Sequence, residues 1–279
     1  MRDPKSAIGV FDSGVGGLTV LRELVKMCPN ENFMYLGDTA RLPYGTKSKE
    51  TVIQYALSAA KILLEHNIKC LIVACNTASS VALPALQKAF PHIPVFGVIE
   101  PGAKACCEHR QSGKIVVLAT ESTTRWHAYQ KAIHQLNPSL EVIEWACPLF
   151  VPLVEEGWTS GPLVKEIVKE VLAPILNMPM EMLVLGCTHY PILKDVIAEV
   201  IPNTTIIDSA STTAQELLQL LKVNKLENNS PQRGTLQFMA TDGLERFSRI
   251  ANRFLNLNLP QEKIALVSHP ENHYQSKTG

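Results

Sequence analysis

The 279-residue chain has little that would attach it to a membrane or a nucleic acid. No apolar stretch approaches the roughly 18 residues that a spanning helix needs. The opening segment MRDPKSAIGVFDSG has no apolar core ahead of a cleavage site. Charge of one sign is missing too: 26 Lys and Arg stand against 26 Asp and Glu, without a long basic run. Neither nucleic acid nor an anionic membrane is therefore an expected partner. There is no C-x-x-C pair among the seven cysteines, Cys28, Cys70, Cys75, Cys106, Cys107, Cys147 and Cys187. An odd count in a long chain argues against a disulfide framework and against a structural zinc site. The expectation is a cytoplasmic protein whose thiols are core fillers or reagents.

What is present is 46% hydrophobic and 19% charged content, enough for one large or two medium cores. Strand and helix signals alternate. AIGVF (7–11), NFMYL (32–36), LIVA (71–74), VFGVI (95–99), KIVVLA (114–119), MLVLG (182–186), TTIID (204–208) and TLQFMAT (235–241) read as strands. Leu18, Leu21, Leu24 and Val25 recur at helical spacing up to Pro29, and Ile53, Leu57, Ala60 and Leu64 mark a second helix. Further helices are expected near 124–136, 163–176, 191–200 and 210–222, with a surface connection over 222–234. Short apolar strands, each followed by a helix, predict an α/β fold with parallel sheets covered on both faces. Ligands then sit beyond the carboxyl ends of the strands. Two internal echoes, IGVFDS with IVVLAT and LIVACNT with LVLGCTH, recur at nearly the same separation and suggest two similar halves.

The second echo places Cys75 and Cys187 at equivalent strand ends, each followed by polar residues. Two thiols facing a carbon acid from opposite sides can remove a proton from one face and return it to the other. The alternative is a pair of buried core cysteines. In DSGVGGL (12–18), the last position of a G-x-G-x-x-G fingerprint falls on Thr19, which fits a dinucleotide site poorly. The loop reads instead as a binder of a small anion through Ser13 and its backbone amides, with Asp12 meeting an ammonium or orienting a thiol. Tyr44 and Gly45 suit a small polar ligand or an ordinary turn. His189 could hold a thiolate, polarise a carboxylate or be purely structural, and Glu155 is either a supporting carboxylate or a solvated helix-end acid.

Taken in order, DSGVGGL, YLGDTARLPYG, ACNTAS, CPLFVPLVEEG and GCTHYP make the chain resemble the glutamate racemases of the aspartate/glutamate racemase superfamily, from residue 7 to about 209. The resemblance implies two α/β domains, the first over 1–98 plus 210–279 and the second over 99–209, with the active site in the cleft between them. It implies Cys75 as the base for the D-isomer and Cys187 for the L-isomer, with Asp12 and His189 as helpers that also touch substrate. Glu155 would be a further tuner. Ser13, Tyr44, Gly45, Asn76, Thr77, Thr120 and Thr188 would hold glutamate. It further implies a homodimer, no metal or other cofactor, and a supply of D-glutamate for peptidoglycan in the bacterial cytoplasm. One stretch departs: where such chains tend to have G-T-x-G-T-x-x-S, this one reads A-T-E-S-T-T-R-W (119–126). A one-thiol decarboxylase or maleate-type isomerase, an amino-acid-binding module and, more distantly, a nucleotide-binding protein are the competing readings.

Overall fold

A computed structural model describes residues 3–270; residues 271–279, nearly all of the unassigned tail, lie outside the described residues. The elements alternate as the periodicity predicts: β1 (Ile8–Asp12), α1 (Leu18–Met27), β2 (Phe33–Gly37), α2 (Lys49–Leu64), β3 (Cys70–Val73), α3 (Asn76–Ala89), β4 (Val95–Gly97) and α4 (Ile99–His109). Then come β5 (Gly113–Ala119), α5 (Glu121–Arg125), α6 (Ala128–Leu136), β6 (Leu140–Ala146), α7 (Phe150–Glu155), α8 (Pro162–Leu176), β7 (Met182–Gly186), α9 (Lys194–Val200) and β8 (Thr205–Asp208). The chain closes with α10 (Ser209–Asn224), β9 (Leu236–Ala240), α11 (Leu244–Leu255) and β10 (Ile264–Leu266).

All strand pairs are parallel and form two sheets, β10-β9-β2-β1-β3-β4 and β6-β5-β7-β8. The order β2-β1-β3-β4 in the first is repeated as β6-β5-β7-β8 in the second. The echoed peptides therefore occupy equivalent strands, β1 with β5 and β3 with β7. The C-terminal segment adds β9 and β10 to the six-stranded sheet.

Period-two alternation sorts each strand's side chains into different apolar layers. Ile8, Val10 and Ile72 of the larger sheet share one continuous layer with Val116, Leu118, Leu183 and Leu185 of the smaller one, filled by α1, α8, α10 and α11. Phe11, Leu71 and Val73 face a second layer under α2 and α3, and Ile115, Val117 and Val184 a third under α4 and α6. Helix ends follow local chemistry. Ser48 caps α2 by accepting from the Thr51 amide, and Asp208 caps α10 by accepting from the Ser211 amide at 2.9 Å.

Several details differ from the sequence expectation. The strand expected over 95–99 stops at Gly97, and Ile99 already opens α4. The helix expected over 124–136 is broken at His127, whose φ is 50°. Strand β6 escaped the alternation rule because it is a sheet edge carrying Glu141 and Glu144. Glu144 is spent on the α6 N-terminus, accepting from the Tyr129 amide at 3.0 Å.

The connection after α10 is not wholly a surface loop. Leu226 is buried, and its carbonyl accepts from Lys69 Nζ at 2.8 Å. Lys69 is fully buried and also pairs with Glu31, whose other oxygen accepts from the Asn228 amide at 2.7 Å. Removing one ion of such a pair strands the other in low dielectric and costs about 3–5 kcal/mol. Lys69→Met should lower unfolding stability in urea by that amount, and adding Glu31→Gln should restore most of it. A loss under about 1 kcal/mol for the single variant would show that the pair is not holding this edge together.

Candidate active site

A cavity of about 400 Å³ opens where the carboxyl ends of the two sheets face each other. Cys75, following β3, and Cys187, following β7, both line it. So do Ser13, Tyr44, Gly45, Asn76, Thr77, Thr120, Glu155, Thr188 and His189. Of the residues expected from sequence, Asp12 alone stands behind the lining, 1% exposed at the end of β1.

The glycine-rich loop works by close approach. A Cβ on Gly16 would lie 2.3 Å from Thr188 Oγ1 and 2.5 Å from the His189 ring, and one on Gly17 would meet Asp12 at 2.6 Å. Thr19 Oγ1, at the start of α1, donates to the Thr188 carbonyl at 2.7 Å. The loop is thus fitted to the strand end that carries Cys187.

The two thiols have unlike surroundings. The Cys75 thiol donates to Ser13 Oγ at 3.4 Å, and its sulfur accepts weakly from the Ala78 amide at 3.5 Å, at the N-terminus of α3. Burial, reinforced by the nearby Asp12 carboxylate, pushes the Cys75 thiol up to about 12. Asp12 is itself raised, chiefly by burial. Its Oδ2 accepts from the Gly14 amide at 2.9 Å, and the Gly14 and Gly17 amides offset part of the rise.

Beside Cys187 stands a histidine rather than a carboxylate. His189 Nδ1 lies 3.9 Å from the Cys187 sulfur, and Nε2 lies 3.0 Å from Glu155 Oε1. Burial disfavours the imidazolium, but the bonds to Cys187 and Glu155 outweigh it and lift His189 to about 10. Glu155 is desolvated yet lowered overall by His189 and by Arg246, whose Nη2 reaches Glu155 Oε2 at 3.0 Å and Glu156 Oε1 at 2.9 Å. The result is a relay from thiol to imidazole, carboxylate and guanidinium. Cys187 thus has the His189 ring beside it, whereas Cys75, raised by burial and by Asp12, is held as the thiol.

The remaining polar side chains divide into aimed and committed groups. Thr77 Oγ1 and Thr120 Oγ1 are 3.0 Å apart, and Thr120 Oγ1 lies 3.0 Å from Thr123 Oγ1, so three hydroxyls cluster where α3 and α5 meet. Asn76 is tied down: its Oδ1 accepts from Tyr129 Oη at 2.8 Å, and its amide reaches Ser209 Oγ at 3.5 Å. The Tyr44 hydroxyl donates to the buried Asp38 at 2.5 Å, so it is engaged away from a ligand. Arg246 was not legible in the sequence, because it lies on α11 and meets Glu155 only through the fold.

Comparisons with known proteins agree with this geometry. Residues 8–217 match the family described as Asp/Glu/Hydantoin racemase. Glutamate racemase from Geobacter metallireducens is 49% identical over 253 residues, covering 90% of this chain and 93% of the relative. Among solved structures, glutamate racemase from Francisella tularensis in complex with D-glutamate superposes with a TM-score of 0.88 at 38% identity, covering 95% of this chain and 98% of that one. Glutamate racemase from Thermus thermophilus, in complex with β-chloro-D-alanine, gives a TM-score of 0.86 at 42% identity, with 96% and 98% coverage. With the match spanning most of its length and both thiols set in one cleft, the chain belongs to the Asp/Glu/hydantoin racemase family.

Proposed function

We propose that this chain interconverts L- and D-glutamate by two-base proton transfer, with Cys187 serving the L-isomer and Cys75 the D-isomer. The observation that carries the reading is the opposite electrostatic setting of two thiols on one cavity, one beside an imidazolium and one beside a carboxylate. The relatives named glutamate racemase, and the bound D-glutamate of one structural neighbour, support the choice of substrate.

With L-glutamate in the cleft, the Cys187 thiolate takes the α-proton as the Cα–H bond breaks. The electron pair left on Cα then takes the Cys75 proton on the other face. The ligand leaves as D-glutamate, with Cys187 a thiol and Cys75 a thiolate. In the reverse direction the roles exchange: from the form with Cys75 a thiolate and Cys187 a thiol, Cys75 takes the α-proton of D-glutamate, and the electron pair left on Cα takes the Cys187 proton. Each proton transfer of this type contributes roughly 10²–10⁴-fold. Hydrogen bonds to the α-carboxylate from the Ser13 and Asn76 loops stabilise the carbanionic transition state in a site from which water is displaced. Nothing in these steps calls for a cofactor. The same reading carries a cytoplasmic homodimer that supplies D-glutamate for peptidoglycan.

Purified protein with L-glutamate in D₂O should lose ellipticity to zero while deuterium enters the α-position. Cys75→Ser and Cys187→Ser should each lower turnover by at least about 10²-fold. Full racemisation by either single variant would rule out two bases, and tight binding without exchange would favour a binding module.

Arg246→Gln should lower kcat/KM by roughly fivefold, about 1 kcal/mol for a half-exposed charged hydrogen bond. The factor must be equal for both enantiomers, because their equilibrium constant is one. A wild-type value would remove Arg246 from the relay.

The relay also predicts a pH dependence of stability. His189 holds its proton up to about 10 in the folded chain, against an ordinary value of 6.5. Its contribution is complete below the lower value and declines as pH rises through the upper one. Urea unfolding across this window should show that decline, and His189→Asn should flatten it. Parallel curves for the two proteins would refute the assignment.

A further inference from the structure

The stretch A-T-E-S-T-T-R-W (119–126) departs from the pattern the rest of the chain resembles, and the proposed proton transfers leave most of it without a task. Ser122 is fully buried, and its hydroxyl donates to the Gly45 carbonyl at 2.6 Å, with the Lys47 carbonyl 3.5 Å away. Gly45 belongs to the turn after β2 of the larger sheet, whereas Ser122 sits on α5 after β5 of the smaller one. The bond therefore crosses the cleft. Four residues on, the Trp126 ring packs against the apolar layer under α2 and α3, again on the far side. A Cβ on Gly45 would come 3.1 Å from Thr120 Cβ, so the turn and the start of α5 are pressed together.

The two kinds of cross-cleft contact differ in what a ligand can do to them. Thr77 and Thr120 face the cavity and are bonded to each other, so an entering carboxylate must re-aim their hydroxyls. Gly45 lines the cavity but Ser122 does not, and their bond can persist while the site fills.

We infer that Ser122, backed by Trp126, is a positioning residue for substrate: it holds the Tyr44–Gly45–Thr46 turn at a fixed place against Thr77 and Thr120, so that glutamate meets a preorganised wall. The inference rests on the glutamate-racemase reading for its substrate, though not for the contact itself. A wall already in place spares the ligand the ordering of a turn, which appears in affinity more than in the chemical step. Losing one hydrogen bond of this kind corresponds to about a three- to tenfold change.

The test uses the full chain with Ser122→Ala, and Trp126→Ser as the second variant. For Ser122→Ala, KM for L- and D-glutamate should rise about three- to tenfold with kcat within about twofold of wild type, the signature of lost uniform binding. Hydrogen exchange of the ligand-free protein, read by mass spectrometry, should quicken over 43–47 in both variants. Unchanged KM, a fall in kcat with KM unchanged, or unchanged exchange over 43–47 would each overturn the inference. If wild-type protein does not racemise glutamate, the functional reading fails, and the exchange measurement alone decides whether Ser122 fixes the turn.

Discussion

The apolar layer shared by the two sheets is the constraint on which the site depends. Helices α1, α8, α10 and α11 fill one continuous layer between Ile8, Val10 and Ile72 on one side and Val116, Leu118, Leu183 and Leu185 on the other. Because both sheets are parallel with the same inner strand order, burying these faces together brings equivalent carboxyl ends toward one cleft. Cys75 and Cys187 are carried there by the main chain that follows β3 and β7, without long flexible loops of their own. Packing is non-directional, however, and could leave the two ends some ångströms adrift. Contacts of defined geometry set the fine spacing: Thr19 on the Thr188 carbonyl, Tyr129 on Asn76, and the bare backbone of Gly16 under Thr188 and His189.

Within that frame, the unlike chemistry of two identical side chains comes from their neighbours. Both sulfurs are nearly buried. Burial favours the neutral thiol at Cys75. Asp12 beside Cys75 adds to burial. His189 beside Cys187 keeps its proton because Cys187 and Glu155 outweigh the desolvation of the ring. Glu155 in turn is lowered by His189 and by Arg246 from α11, a helix of the segment that also supplies β9 and β10. A C-terminal helix thus reaches a thiol that lies nearly sixty residues earlier, through three side-chain contacts.

Polar ties across the cleft are also where this chain shows its individual character. Arg246 joins α11 to α7, the Thr77 and Thr120 hydroxyls meet between α3 and α5, and Ser122 joins α5 to the turn after β2. Each tie couples a group on the cavity wall to the opposite side. The Asp38 site works similarly from behind: it accepts from Tyr44, Thr241 and His269 and so anchors the turn that carries Gly45.

The sequence by itself determined eight of the strands, the parallel α/β class, the two echoes and the pair of thiols, because each is written in local periodicity or in a contiguous motif. Cys75 and Cys187 could be paired on paper since each ends an apolar strand and opens a polar run. Strand β6 was hidden because an edge position tolerates Glu141 and Glu144, and the break at His127 because a left-handed residue leaves no mark on hydrophobic spacing. Only the tertiary structure decided that Asn76 and the Tyr44 hydroxyl are committed to Tyr129 and Asp38, that Arg246 lines the site, and that Ser122 bonds the Gly45 carbonyl behind it. The physical reason is the same in each case. Hydrogen bonds and ion pairs between distant residues depend on a few ångströms of separation and on angle, and neither exists until the shared apolar layer has closed.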